Sequence, residues 1–95
     1  MTIMMRMDWP GATKDQYDAL RQTVNWEQDK AKGGIFHVAA IDESGVHITD
    51  VWDTAEDFQR FTEDRLMPAV QELGIPGEPK IEIWETHAVF APAYE

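Results

Sequence analysis

Ile35-Phe36-His37-Val38-Ala39-Ala40-Ile41, then Asp42-Glu43-Ser44-Gly45, then Val46-His47-Ile48-Thr49-Asp50-Val51-Trp52, reads as two strands joined by a tight turn. Both arms are rich in β-branched and bulky residues. The Asp-Glu-Ser-Gly link supplies the turn chemistry that reverses a chain in a hairpin.

Outward from this hairpin the pattern changes on both sides. Upstream, Thr13 opens a helix with Gln16 at capping-box spacing. Tyr17, Leu20, Val24 and Ala31 follow as an apolar stripe of helical period, and Gly33-Gly34 is expected to close that helix. Trp26 lies nine positions past Tyr17, roughly 180° around an ideal helix. It should therefore leave the stripe, unless the helix is irregular there. Downstream, Thr54 is the expected cap of a second helix, with Asp57 at its third position. Phe58, Phe61, Ala69 and Leu73 form its expected inner side, and Pro68 should kink or restart it. Residues Thr2 to Trp9 read as a first strand closed by Pro10-Gly11, and Lys80 to Phe90 as a last one. The tail at 91–95 is expected to be loose.

The order is β-α-β-β-α-β in a single domain spanning residues 1–95. This predicts an α+β, ferredoxin-like fold with an antiparallel sheet and both helices on one face. The other face is then expected to be polar, yet apolar residues occur at both strand parities: Met4 beside Met5, Ile35 beside Phe36, Val38 beside Ala39, Ile83 beside Trp84. A half-covered sheet should alternate cleanly. We therefore expect a homodimer with two sheets face to face, Trp84 being the foremost interface residue.

Composition narrows the functions. Lys plus Arg total 8 against 18 Asp plus Glu, a net charge of −10. Such a surface repels phosphate backbones and anionic lipid, so neither nucleic acid nor membrane is an expected partner. With no cysteine, thiolate catalysis, disulfides and Cys-type metal or cluster sites are excluded. The lone serine, Ser44, lies in a turn, and no nucleophile elbow or phosphate-binding glycine loop occurs. No signal peptide or membrane span is read, which predicts a cytoplasmic location. Glu56, Asp57, Glu63 and Asp64 read as a solvated helix face.

The residues with chemistry to offer are few. His37, His47 and His87 are the near-neutral bases. His37 and His87 are the candidates for catalysis, whereas His47, beside the turn, is expected to be solvated. No histidine spacing suits a metal. Arg6 and Asp50 are charges inside expected central strands. They could face one another as an ion pair, or form the polar floor of a pocket where Asp50 orients a histidine. Parity puts Asp50 and Trp52 on one side of their strand. Trp52, Phe58 and Phe61 would then supply aromatic walls, with Arg6 as a polar anchor for a ligand.

The stretch Trp52-Asp53-Thr54-Ala55-Glu56-Asp57-Phe58 resembles the third-strand-to-second-helix signature of the dimeric α/β-barrel proteins, the antibiotic biosynthesis monooxygenase-like superfamily. Chain length, element order and the early Pro-Gly turn agree with it. Arg65-Leu66-Met67-Pro68-Ala69 with Gly74-Ile75-Pro76 is similar to small bacterial members without an assigned role. The resemblance implies a dimeric barrel and leaves several activities open, among them cofactor-free oxygenation and isomerisation. It speaks against the haem-degrading branch. Phe61 stands where that branch has Trp, Gln71 where it has its haem-ligating His, and the first strand lacks its Asn. The expectation is therefore a dimeric protein, needing no cofactor, that binds or oxidises a small apolar or aromatic molecule. The alternative is a non-catalytic binding or interaction module whose histidines are structural.

Overall fold

The computed structural model describes residues 1–94 and shows four strands and two helical crossovers. In chain order these are β1 (Ile3–Pro10), α1 (Lys14–Val24), β2 (Gly34–Asp42), β3 (Gly45–Trp52), α2 (Ala55–Phe61), a π-helical turn (Thr62–Leu66), α3 (Met67–Leu73) and β4 (Lys80–Glu85). The sheet order is β2-β3-β1-β4 with every neighbour antiparallel. This is the ferredoxin-like fold that the element order predicts. No helix among the described residues is long and apolar enough to cross a membrane.

The hairpin forms at the expected turn. Asp42 Oδ1 accepts from the backbone N–H of Ser44 at 2.9 Å and from the Ser44 hydroxyl at 2.6 Å, closing an Asx-type turn. Gly45 is required: its φ is +143°, and a Cβ there would run into the Trp9 carbonyl. The hairpin can therefore press against the end of β1 only without a side chain at this position.

Alternation along β1 decides where the core lies. Ile3, Met5, Met7 and Trp9 are buried under the helices with Val46, Trp52 and Phe58. Met4, Arg6 and Asp8 point to the outer face. The turn after α3 is pinned to the same core, because Trp9 Nε1 donates to the Pro76 carbonyl at 3.0 Å.

Helix α1 starts as expected. Thr13 accepts from the Gln16 backbone and Gln16 returns the bond to Thr13, a complete capping box. It ends earlier than the stripe suggests. Asn25 adopts the left-handed conformation (φ 61°), and its N–H bonds Arg21 O, so the helix stops at Val24 rather than at Gly33-Gly34. Asparagine tolerates that conformation better than most residues. The chain turns back there, which brings Trp26 under the fold against Tyr17 and His37. Trp26 is thus an irregular-segment residue of the cavity wall.

The second crossover restarts as α3 at Met67, with Pro68, which lacks an N–H, in its first turn. Thr54 caps α2 by accepting from Asp57 N at 3.0 Å. The π-helical turn then adds a residue, rotating the following face by roughly 100°. Leu66, Ala69 and Val70 join Phe58 in the core, while Leu73 is exposed. The expectation that Leu73 faces inward is corrected, since it stands at the last position before the left-handed Gly74.

The last strand is also shorter than the sequence suggests. β4 ends at Glu85, and Thr86 is tied to Thr2 by its hydroxyl and backbone. Residues Pro92–Tyr94 form a short 3-10 turn. The remainder of the expected loose tail, Glu95, lies outside the described residues.

Candidate functional site

Between the sheet and the helices lies a mostly apolar cavity of about 370 Å³. Its floor is β1 and β3, through Met5, Met7 and Trp52. Its sides are Leu20 and Tyr17 of α1, Trp26 and Ala31 of the α1–β2 segment, and Phe58 and Phe61 of α2. Trp52 packs against both phenylalanines, at 5.6 Å and 5.3 Å between ring centres. Each such aromatic pair contributes about 0.5–1.5 kcal/mol beyond its buried area.

One polar line crosses this apolar wall. Trp52 Nε1 donates to Asp50 Oδ2 at 3.0 Å. Asp50 Oδ1 lies 2.6 Å from His37 Nδ1. His37 Nε2 lies 2.8 Å from the Tyr17 hydroxyl. The tautomer follows from the partners. A carboxylate only accepts, so Nδ1 carries the hydrogen and Nε2 is left as the acceptor, which Tyr17 fills. Asp50 is only 6% exposed, yet both of its oxygens are satisfied. Burial raises the Tyr17 hydroxyl above its ordinary pKa, so it stays a donor.

Strand register explains why these groups meet. His37 is opposite Asp50 across β2 and β3, and both project toward the helices. Asp50 and Trp52 share a face by parity, as the sequence suggests. Tyr17 reaches them from α1, where its ring lies parallel to His37 (interplanar angle 1°). Trp26 closes against His37 with 5.3 Å between ring centres. A kinked backbone helps: the register slips between Gly34 and Phe36, which re-aims the start of β2.

Of the expected site residues, His37, Asp50, Trp52, Phe58 and Phe61 come together at this cavity. Arg6 does not. Register pairs Met5 with Asp50 and Arg6 with Thr49, so Arg6 and Asp50 point to opposite faces. Arg6 instead pairs with Asp8 on the outer face, at 3.3 Å. His87 does not join either. β4 ends before it, and it stands exposed beyond the strand and outside the cavity. Tyr17 and Trp26 belong to the site although neither was singled out for it. A hydroxyl on the apolar stripe of α1 was the available signal for Tyr17.

His47 is not simply solvated. Its Nδ1 is 2.7 Å from Asp8 Oδ1, its Nε2 3.0 Å from Asp42 Oδ1, and the Ser44 hydroxyl lies 3.0 Å away. The bond to Asp8, then that to Asp42, raises its pKa. Asp8 is lowered by the bonds from His47 and Arg6, and Asp42 by Ser44 and His47. The cluster ties the hairpin tip to β1 and lies away from the cavity.

Comparison with solved structures recovers the same architecture over nearly the whole chain. A proposed antibiotic biosynthesis monooxygenase from Deinococcus radiodurans is 18% identical with a TM-score of 0.63, covering 96% of this chain and 97% of that one. SnoaB, a cofactor-independent oxygenase from Streptomyces nogalater, is 11% identical with a TM-score of 0.60, covering 93% of each chain. A protein of unknown function from Nitrosomonas europaea is 17% identical with a TM-score of 0.68, covering 96% of this chain and 92% of that one. No family model matches the sequence. No curated protein matches it either. At these identities the likeness is one of fold: the chain has the ferredoxin-like architecture of the antibiotic biosynthesis monooxygenase structures.

Proposed function

We propose that the cavity binds a small aromatic or apolar molecule bearing an acidic hydroxyl, and that His37 takes its proton without a cofactor. The observation that carries this reading is the Asp50–His37 pair, which leaves Nε2 as an acceptor at the wall of an apolar cavity, engaged there by the Tyr17 hydroxyl that a ligand hydroxyl would replace. Asp50 holds the tautomer and would stabilise the imidazolium as it forms. The proton passes from the ligand oxygen to Nε2, and the electron pair stays on the ligand. Such an anion can isomerise, or give electrons to dioxygen as co-reactant. SnoaB, which shares this fold, is described as a cofactor-independent oxygenase.

The test uses 4-nitrophenol, whose anion is yellow. In slightly acidic buffer, the wild type should bind it and raise the phenolate absorbance, and His37→Gln should bind it without that rise. Binding without ionisation in the wild type would overturn the base assignment. That outcome would favour a non-catalytic binding module, a reading supported by Tyr17 already occupying Nε2.

The same proposal includes a second copy of the chain. Pairing across the sheet aligns Trp84, Met4, Val51 and Phe36 in one row on the outer face. Trp84 is 44% and Met4 36% exposed, and Val38 in the next row is 49% exposed. The row of Trp84, Met4, Val51 and Phe36 is suited to burial against its own symmetry mate.

A further inference from the structure

The basic residues of this chain are unevenly used. Of its 8 Lys and Arg, Arg6, Lys14, Arg21 and Arg65 lie within ion-pair distance of Asp8, Asp18, Glu27 and Asp29 respectively. The other four, Lys30, Lys32, Arg60 and Lys80, form no ion pair among the described residues. Three of those four stand around the openings of the molecule. Lys30 is at the mouth of the cavity, where the only neighbouring lining carboxylate outside the His37 pair, Glu27, is already held by Arg21 at 2.7 Å. Lys32 and Arg60 line a smaller pocket of about 160 Å³.

That pocket adjoins the cavity, since Ala31 and Phe61 line both. Its third cation, Arg65, is preset. Nη2 donates to the carbonyls of Val24 (2.9 Å) and Asp29 (2.7 Å), and the guanidinium sits 5.4 Å from the Phe61 ring centre. Asp57 and Asp64 also line the pocket, and Asp29 compensates Arg65; with Lys30 at the adjoining cavity mouth, the three unpaired cations Lys30, Lys32 and Arg60 stand against two carboxylates, an excess of one positive charge. In a chain of net charge −10, that local excess runs against the surrounding field.

We propose that the pocket is an anion subsite: the ligand carries, beyond its aromatic body, a flexible tail ending in a carboxylate that reaches over Ala31 and Phe61 to Lys30, Lys32 and Arg60. The proposal rests on the reading of the cavity as a site for a hydroxylated aromatic. A single excess charge suits a monoanion. A dianionic phosphate would meet Asp57 and Asp64 with one charge uncompensated, and is disfavoured.

Calorimetry on the intact protein tests this with 4-ethylphenol, 3-(4-hydroxyphenyl)propionate and 2-(4-hydroxyphenyl)ethyl phosphate. The propionate should bind about fivefold tighter than the neutral phenol at low salt, the effect of one well-placed, partly exposed charge pair. The phosphate should bind no tighter than the propionate. High salt should erase the preference. The triple variant Lys30→Gln, Lys32→Gln, Arg60→Gln should bring the ratio to about one by removing that charge pair. Lys80→Gln, the unpaired cation on β4, should leave it unchanged. Equal binding of phenol and propionate by the wild type would overturn the subsite while leaving the cavity reading intact, as would a preference that survives in the triple variant. If no phenol binds at all, the cavity reading fails, and hexanoate then reads the subsite alone by NMR. Amide shifts at 31–33 and 60–65 that vanish in the triple variant support it, and their absence in the wild type overturns it.

Discussion

Asp50 Oδ1 and His37 Nδ1 stand 2.6 Å apart across the β2–β3 ladder, with the carboxylate 6% exposed and the imidazole lining the cavity. Antiparallel register sets this pair, because His37 and Asp50 are directly opposed. Removing the carboxylate should cost both stability and orientation. We expect Asp50→Ala to lower stability by about 1–3 kcal/mol, because His37 Nδ1 and the buried Trp52 Nε1 lose their acceptor. Urea denaturation measures this. The phenolate band of bound 4-nitrophenol should vanish in the same variant.

Tyr17 competes for the nitrogen that a ligand would use. If the ligand hydroxyl takes the place of the Tyr17 hydroxyl on Nε2, then Tyr17→Phe should bind 4-ethylphenol tighter, by about three- to tenfold, the value of one hydrogen bond no longer displaced. Calorimetry reads the change. An unchanged or weaker affinity would show that Tyr17 itself contacts the ligand.

The His47 cluster sets a pH window. His47 has a folded pKa raised above 6.5, so its contribution is complete below 6.5 and is lost as pH rises through the folded value. Asp8 and Asp42 are lowered from 3.8, so theirs is complete above 3.8 and is lost as pH falls through their folded values. The full contribution therefore lies between about 4 and 6.5. The Tm difference between wild type and His47→Gln should be largest there and shrink toward alkaline pH. Thermal melts across pH check it.

The outer row across the sheet offers a separate test. Wild-type protein should sediment at twice 10.9 kDa, and Trp84→Glu, which puts a charge into the row with Met4, Val51 and Phe36, should sediment at 10.9 kDa. A wild-type monomer at micromolar concentration would exclude the dimer.

Much of this protein was readable from residue order, and the reason is local. The Asp42–Gly45 turn, the Thr13 and Thr54 caps and the helix restart around Pro68 each act within a few residues. So does the parity of Asp50 and Trp52. Which face of each strand is buried was not readable, because apolar residues stand at both parities, as in Met4 beside Met5. What required the folded chain was long-range register and the ends of elements. Arg6 misses Asp50 by one residue of pairing, and one residue reverses a strand's face. Asn25 stops α1 early, and that turn carries Trp26 to His37. β4 ends before His87. Tyr17 meets His37 across twenty residues of chain, a contact that no local spacing encodes, because it depends on how α1 lies over the sheet.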